Sequence, residues 1–427
     1  MISPRPPSRP KSLPQRGVAL ILALLMVVVM TAYSTEFNYS AYINNLSSYH
    51  YKDDTRAYYL SKSGIRTYGM LLVFAKQLSG NQMAAGLLAQ LGLNIDGPDM
   101  LCRSLPFLDT ALLRAITQMG GASSEEDKSG LLGLLGIGGG ENEQEQQTEF
   151  KTRGATDETE EDQEGLRRKL LEFEGDFKVE CQDESAKIDL NGFANTRWTA
   201  LPVQQHPIGQ MIFGLVAPPE YNPLFEDRLK IDRWELIGNI KDWVDTDSQR
   251  AGIWGGDEDS LYDDFEPRYR AKNSRFDSVA ELRMVAGVTD EVWSTFGENF
   301  SIHTRNYKIN VNAASPTVIR ALIRAHTNPL LVSDQVLDNE VVPLLMAERS
   351  FIPGPFRNAN DFISRVKAKG VAFTDAETEN QLKGLLATDS RVFRLRATGY
   401  VNDSTRTIDA TVRVSSRGVQ YLEWREH

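Results

Sequence analysis

From Val18 to Thr35 the chain runs for 18 residues without a charge, and this segment constrains the fold more than any other. As a helix rising about 1.5 Å per residue it is roughly 27 Å long, enough to cross a hydrocarbon core. Arg5, Arg9, Lys11 and Arg16 precede it with no acid among them, a bias that holds this end in the cytoplasm and sends the bulk across. Three physical readings compete: a cleaved secretory signal, a plain anchor, or an anchor that is trimmed and then used for assembly. Ala32-Tyr33-Ser34 offers a small-x-small site for the first, but secretory apolar regions are usually about 7–15 residues, shorter than this run.

Gly17 stands between the last basic residue, Arg16, and the first apolar one, Val18. This resembles the type IV pilin-like leader, in which a prepilin peptidase cuts after the glycine on the cytoplasmic side. The resemblance implies cleavage between Gly17 and Val18, methylation of the new N-terminus, and retention of the apolar run as membrane anchor and filament core. Most such proteins carry a glutamate five residues into the mature chain; here Leu22 occupies that place. A carboxylate in a bilayer is costly and is kept for a partner, so its absence implies a subunit with no neighbour ahead of it.

Beyond the anchor the helical period continues through 36–80. Ala57, Leu60, Gly64, Tyr68, Leu71 and Ala75 recur at three- and four-residue steps and give one narrow apolar face suited to a sheet. Between 171 and 190 the period falls to two: Phe177, Val179 and Cys181 alternate with polar residues, and Ile188 and Leu190 follow an Asp183-Glu184-Ser185 turn. These read as the first strands of a sheet. From 390 to 427 the alternation returns in three runs, broken at Asn402-Asp403-Ser404 and Ser416-Arg417-Gly418, which is an antiparallel meander. The middle looks duplicated. Lys187 to Asn191 (KIDLN) matches Lys308 to Asn312 (KINVN), and each is followed by a helix opening on a capping-box spacing, Ser278 with Glu281 and Asn358 with Asp361. The expected order is therefore a first helical subdomain with an acidic loop at 191–307 and a second at 308–389, inserted between strands of one sheet.

The net charge of −11 argues against nucleic acid as a default partner. Nearly all of it is local: residues 125–164 hold 13 acids against three bases, a net of −10, around the string GLLGLLGIGGGENEQEQQTEF. We read 121–166 as a flexible solvated insertion. Two cysteines, Cys102 and Cys181, form no framework; they pair in an oxidising compartment or stay as two buried thiols, and spacing does not choose between these.

Taken in order, the leader, AYYLSKSGI, DESAKIDLN, DWVDTDSQ…GGDEDSLY, YRAKNSRFDSVAELRMV, INVNAASPTVIRAL and FRLRATGY resemble the minor pseudopilin K (GspK) family of type II secretion systems. That resemblance implies an α+β fold: a long N-terminal transmembrane and amphipathic helix packed on an antiparallel pilin-like sheet, with two inserted helical SAM-like subdomains. It implies a structural subunit at the tip of the pseudopilus, priming filament assembly and supporting export across the outer membrane. The implied partners are pseudopilins I and J, then H and the major pseudopilin, with the inner-membrane platform and the prepilin peptidase. The implied place is the bacterial inner membrane, single-pass, with a cytoplasmic N-terminus and the bulk in the periplasm.

DWVDTDSQRAGIWGGDEDSLYDD sets Asp242, Asp245, Asp247, Asp257, Glu258, Asp259, Asp263 and Asp264 within 23 residues. Calcium takes several hard oxygens in irregular geometry, and a glycine-bent acidic loop suits it. The glycine and final glutamate do not fall where an EF-hand needs them. The family resemblance implies a structural calcium site here, through Asp245, Asp247, Gly256, Glu258, Asp259 and Tyr262; the expected ligands are Asp245, Asp247, Glu258 and Asp259. The alternative is a solvated acidic loop. The five histidines lack metal spacing and no nucleophile motif stands out, so the chain is not expected to be an enzyme. The rival function is an exported, membrane-anchored helix-hairpin-helix DNA-binding protein of a competence-type system, which INVNAASPTVIRALI resembles at its opening. That motif needs a glycine-rich hairpin to hold phosphate, and Arg324 to Pro329 contains none.

Overall fold

The computed structural model describes residues 16–79, 97–114, 174–198, 200–252, 255–305, 307–351 and 354–427. Residues 1–15 of the expected leader and the whole acidic insertion, 121–166, lie outside them. In chain order the elements begin with α1 (Arg16–Leu78), α2 (Pro98–Ser104), β1 (Phe107–Asp109), β2 (Asp176–Asp183), β3 (Ile188–Asp189), α3 (Pro207–Val216) and α4 (Arg233–Val244). Next come α5 (Asp290–Phe296), β4 (Phe300–Ser301), β5 (Ile309–Asn310), α6 (Pro316–Ala325) and α7 (Val342–Ser350). The chain closes with α8 (Ala359–Ala368), α9 (Ala376–Leu385), β6 (Leu386–Ala387), β7 (Val392–Val401), β8 (Ser404–Ser415) and β9 (Gly418–Glu426).

Five of the strands make one antiparallel sheet in the order β1-β2-β7-β8-β9. The period-two residues point to one side: Phe177 and Val179, then Phe393, Leu395 and Ala397, then Ile408, Ala410, Val412 and Val414, all buried beneath α1. The helix stripe that meets them is Ala57, Ser61, Gly64, Ile65, Tyr68, Leu72 and Ala75. Leu60 and Leu71, expected on this face, sit at its margins half-buried, because small residues let the two backbones close up along the centre. A Cβ on Gly399 would lie 2.0 Å from the carbonyl oxygen of Ala57, and one on Gly64 would lie 2.7 Å from Val179. Below the sheet α1 continues alone. It includes the one helix segment among the described residues that is long and apolar enough to span a membrane, and that window is unburied.

The Asp183–Ser185 turn does not close a hairpin, contrary to the expected strand pair at 171–190. Asp183 accepts the N–H of Ser185 and the hydroxyl of Ser390, and Glu184 pairs with Lys187 at 2.9 Å inside the protein. These bonds lead the chain out of the sheet, and β3 pairs instead with β4, parallel, in a separate helical head. β2 takes β1 as its other neighbour. Cys102 of α2 and Cys181 of β2 form a disulfide with Cα atoms 5.6 Å apart.

The head repeats one wiring scheme twice. Asn191 donates to the carbonyls of Phe276 and Ile302 and accepts the N–H of Phe276. Asn312 donates to the carbonyls of Phe356 and Thr388 and accepts the N–H of Phe356. β3 with β4 and β5 with β6 are both short parallel pairs, and α3 and α6 both open on proline. Those two helices pack so closely that a Cβ on Gly214 would lie 2.3 Å from the carbonyl oxygen of Ala321. The two units therefore share one continuous apolar core, distinct from the core between α1 and the sheet. The segment from Ser278, expected as an α-helix, is a 3-10 turn in which Ser278 caps Ala280. Head and body meet through polar contacts: His303 with Glu423 at 3.0 Å, Arg425 to Ser278 at 2.8 Å and Arg103 to the carbonyl of Asn312 at 2.9 Å.

Candidate metal centre

The acidic loop is built on the end of α4. Asp232 caps the start of this helix by accepting the N–H groups of Trp234 and Glu235. Its last turn carries Asp242, and Asp245 follows as the C-terminal cap, so the spacing of three puts both carboxylates on one side. After Asp245 the chain turns back. The N–H of Arg250 meets the carbonyl of Gly256 at 3.1 Å and that of Glu258 meets Ser248 at 3.3 Å. Gly255 and Gly256 take φ of 59° and 100° in this return, backbone that side chains resist. Glu258 thereby comes to rest over the end of α4, backed by Tyr262, whose ring lies 5.6 Å from that of Trp243.

Asp242, Asp245 and Glu258 each present a carboxylate oxygen within 4.8 Å of the others. All three are buried, Glu258 with 1% of its surface exposed. Asp242 accepts the N–H of Ala251 at 2.9 and 3.1 Å, and Asp245 takes the ammonium of Lys241. Oδ1 of Asp245 and both oxygens of Glu258 have no hydrogen-bond partner among the described residues. Buried acceptors without donors are costly, and here they converge. The electrostatics agree. Burial, then the neighbouring Asp242, pushes Glu258 up to about 8; burial pushes Asp242 up to about 7 and raises Asp245 despite its bond from Lys241.

The expected ligands are thus separated by geometry. Asp245 and Glu258 come together, and Asp242 joins them. Asp247 is exposed and accepts the N–H of Gln249. Asp259 points elsewhere: Oδ1 accepts the N–H of Ala271 and Oδ2 lies 3.6 Å from Arg270. Asp242 was recoverable from sequence through its helical spacing from Asp245. Three buried carboxylates with orphaned oxygens and an all-oxygen donor set fit a hard divalent cation. Of the anchor positions, Leu22 lies exposed on α1, while Gly17 and Val18 fall in the helix with their side chains outside the description.

Residues 224–296, which contain all three carboxylates, match a family profile described as type II secretion system protein K, first domain. A relative, the type II secretion system protein K of Pseudomonas aeruginosa PAO1, is 28% identical over 152 residues, covering 36% of this chain and 41% of the relative. The chain thus aligns with less than half the length of that protein. A solved structure, the GspK–GspI–GspJ complex from enterotoxigenic Escherichia coli, matches with a TM-score of 0.45 at 19% identity, over 60% of this chain and 80% of that one. Through residues 224–296, which carry its acidic centre, this chain is similar to protein K of type II secretion systems.

Proposed function

We propose that the protein is a minor pseudopilin that caps the type II secretion pseudopilus, primes its assembly and so supports export, as a structural component rather than a catalyst. The observation that carries this is the shape of the chain: one exposed apolar helix leads without a break into a helix-on-sheet body that bears a large helical head. The apolar stretch of α1 is the anchor, its basic approach lies in the cytoplasm, and body and head lie in the periplasm, where the Cys102–Cys181 disulfide is favoured. The solved complex named above joins a protein K to pseudopilins I and J, and we extend that partnership to this chain. Contacts to pseudopilin H, the major pseudopilin, the assembly platform and the prepilin peptidase belong to the same reading. Co-purification of the full chain from detergent-solubilised membranes with pseudopilins I and J is expected; recovery without either one would refute it.

The same reading gives the acidic centre a calcium ion. Asp242, Asp245 and Glu258 would hold it, and the ion would neutralise carboxylates that otherwise repel one another inside the head. Its part is structural: it ties the end of α4 to the returning loop.

A further inference from the structure

Lys241 is buried, with 7% exposure, in the same helical turn as two members of the acidic cluster, and its ammonium is bonded to Oδ2 of Asp245. The wall beyond it is uncharged. His206 is buried there with Nδ1 occupied by the N–H of Ile208, and burial together with the nearby Lys241 charge drives its pKa down to about 3, so it stays neutral. Arg250, also near the loop, is already matched by Glu235 at 3.0 Å. The buried charges at the centre are therefore three carboxylates and one ammonium. Asp247 is exposed, so solvent and salt screen it.

We infer that Lys241 is a fixed internal cation of the metal site, which holds down the advantage that a trivalent ion would otherwise have over a divalent one. The inference rests on the reading of Asp242, Asp245 and Glu258 as a cation site. Three carboxylates need three positive charges. Lys241 supplies one, and an ion of charge +2 completes the balance, while an ion of charge +3 leaves an excess buried charge. A buried uncompensated charge is what a protein interior tolerates least. The lysine also competes directly for Oδ2 of Asp245, so it weakens all cation binding while discriminating by charge.

The test uses the full chain in detergent, stripped of metal, and compares terbium(III) with calcium(II), ions of similar size and different charge. Terbium binding is read by luminescence sensitised through Trp243 and calcium by displacement. The wild-type chain, which needs no substitution, is expected to bind terbium no more than about tenfold tighter than calcium. In Lys241→Gln both ions bind tighter, and the terbium preference grows by about tenfold or more, because one unit of charge a few ångströms away acts more strongly on the higher-charged ion. Lys241→Arg, which keeps the charge, retains the wild-type ratio. A wild-type preference for terbium of a hundredfold or more overturns the inference, as does a Lys241→Gln ratio equal to wild type with calcium still bound. Failure of the wild-type chain to bind either ion removes the site itself, an outcome distinct from the other two.

Discussion

Metal-free protein should lose stability as the pH rises from 4 to 8, and calcium should abolish that loss. Glu258 moves from an ordinary 4.5 to about 8 on folding, and Asp242 from 3.8 to about 7, burial being the first cause for both. In the unfolded chain these carboxyls ionise near pH 4; in the folded, metal-free chain they hold their protons until pH 7 or 8. Between those limits the folded state binds more protons, so its stability is fully present below about pH 4 and falls as the pH rises through the folded values. At about 1.4 kcal/mol per pH unit each displacement is worth about 4–5 kcal/mol, and because the two acids repel one another the amounts do not add. A loss of about 3–5 kcal/mol between pH 5 and pH 8.5 is expected for this cluster, or roughly 5–10 °C in melting temperature for a chain of this size. Carboxylates paired elsewhere, such as Asp361 with Arg365, slope the other way. The informative quantity is therefore the difference between two melting series, one on metal-stripped protein and one in millimolar calcium. Calcium should raise the melting temperature at pH 8 by several degrees and hardly at all at pH 5, with magnesium less effective. Glu258→Gln should flatten the metal-free series and shrink the calcium increment. Parallel series with and without calcium would refute the reasoning, since the cluster would then be neither a proton trap nor a cation site.

The other perturbations are simpler. Reducing the Cys102–Cys181 disulfide opens a link across 79 residues; loop entropy puts the loss at about 4.5 kcal/mol, and a thermal melt with and without reductant reads it. Gly399→Ala should destabilise the body by about 2–4 kcal/mol, because its Cβ has no room against the Ala57 carbonyl; a variant melting like wild type would show that α1 can shift. N-terminal sequencing of membrane-extracted protein should begin at Val18, and a start at Thr35 would instead indicate an ordinary signal peptidase. On the proposed tip reading, Leu22→Glu should leave the protein at one copy per filament, because the bulky head would still obstruct stacking above it; cross-links between copies along the shaft would contradict this.

The period of the apolar residues made the helix and the long strands legible, because Ala57, Gly64, Tyr68 and Ala75, or Ile408, Ala410 and Val412, each report one buried face. β1 left no such trace: three residues are too few to alternate. Leu60 and Leu71 misled because three- and four-residue steps fit them as well as their neighbours Ser61 and Leu72, which are the ones buried. At the acidic centre, residue types suggested a cation site but not which carboxylates would converge. Which carboxylates converge depends on where the returning loop carries them: Asp247 stays exposed, and Asp259 turns towards the N–H of Ala271 and the guanidinium of Arg270. Only the pairing of Asp242 with Asp245, three apart at the end of one helix, was written in spacing.

The duplicated wiring bears on why the proposed metal site would sit in one half of the head and not the other. In the second unit Asn312 reaches its phenylalanine partner 44 residues on; in the first, Asn191 reaches Phe276 after 85, a difference of 41. The connection from the end of α7 to Phe356 is a few residues long, whereas that from the end of α4 to Phe276 spans the whole acidic loop. The second unit shows that the fold closes without such a loop. In its core Arg349 ties two backbone segments together, donating from Nη1 to the carbonyls of Val311 and Ala314 at 2.9 and 2.8 Å. The first unit instead carries a long, heavily charged excursion, which Tyr262 pins to the core beside Trp243. Carboxylates at its two ends, Asp242 and Asp245 at departure and Glu258 on return, give a cation the means to close it. The ion's stabilisation is therefore expected to be local to this loop and the end of α4. Hydrogen exchange on the full chain would show it as protection gained on adding calcium around 242–262, with the corresponding stretch of the second unit unchanged.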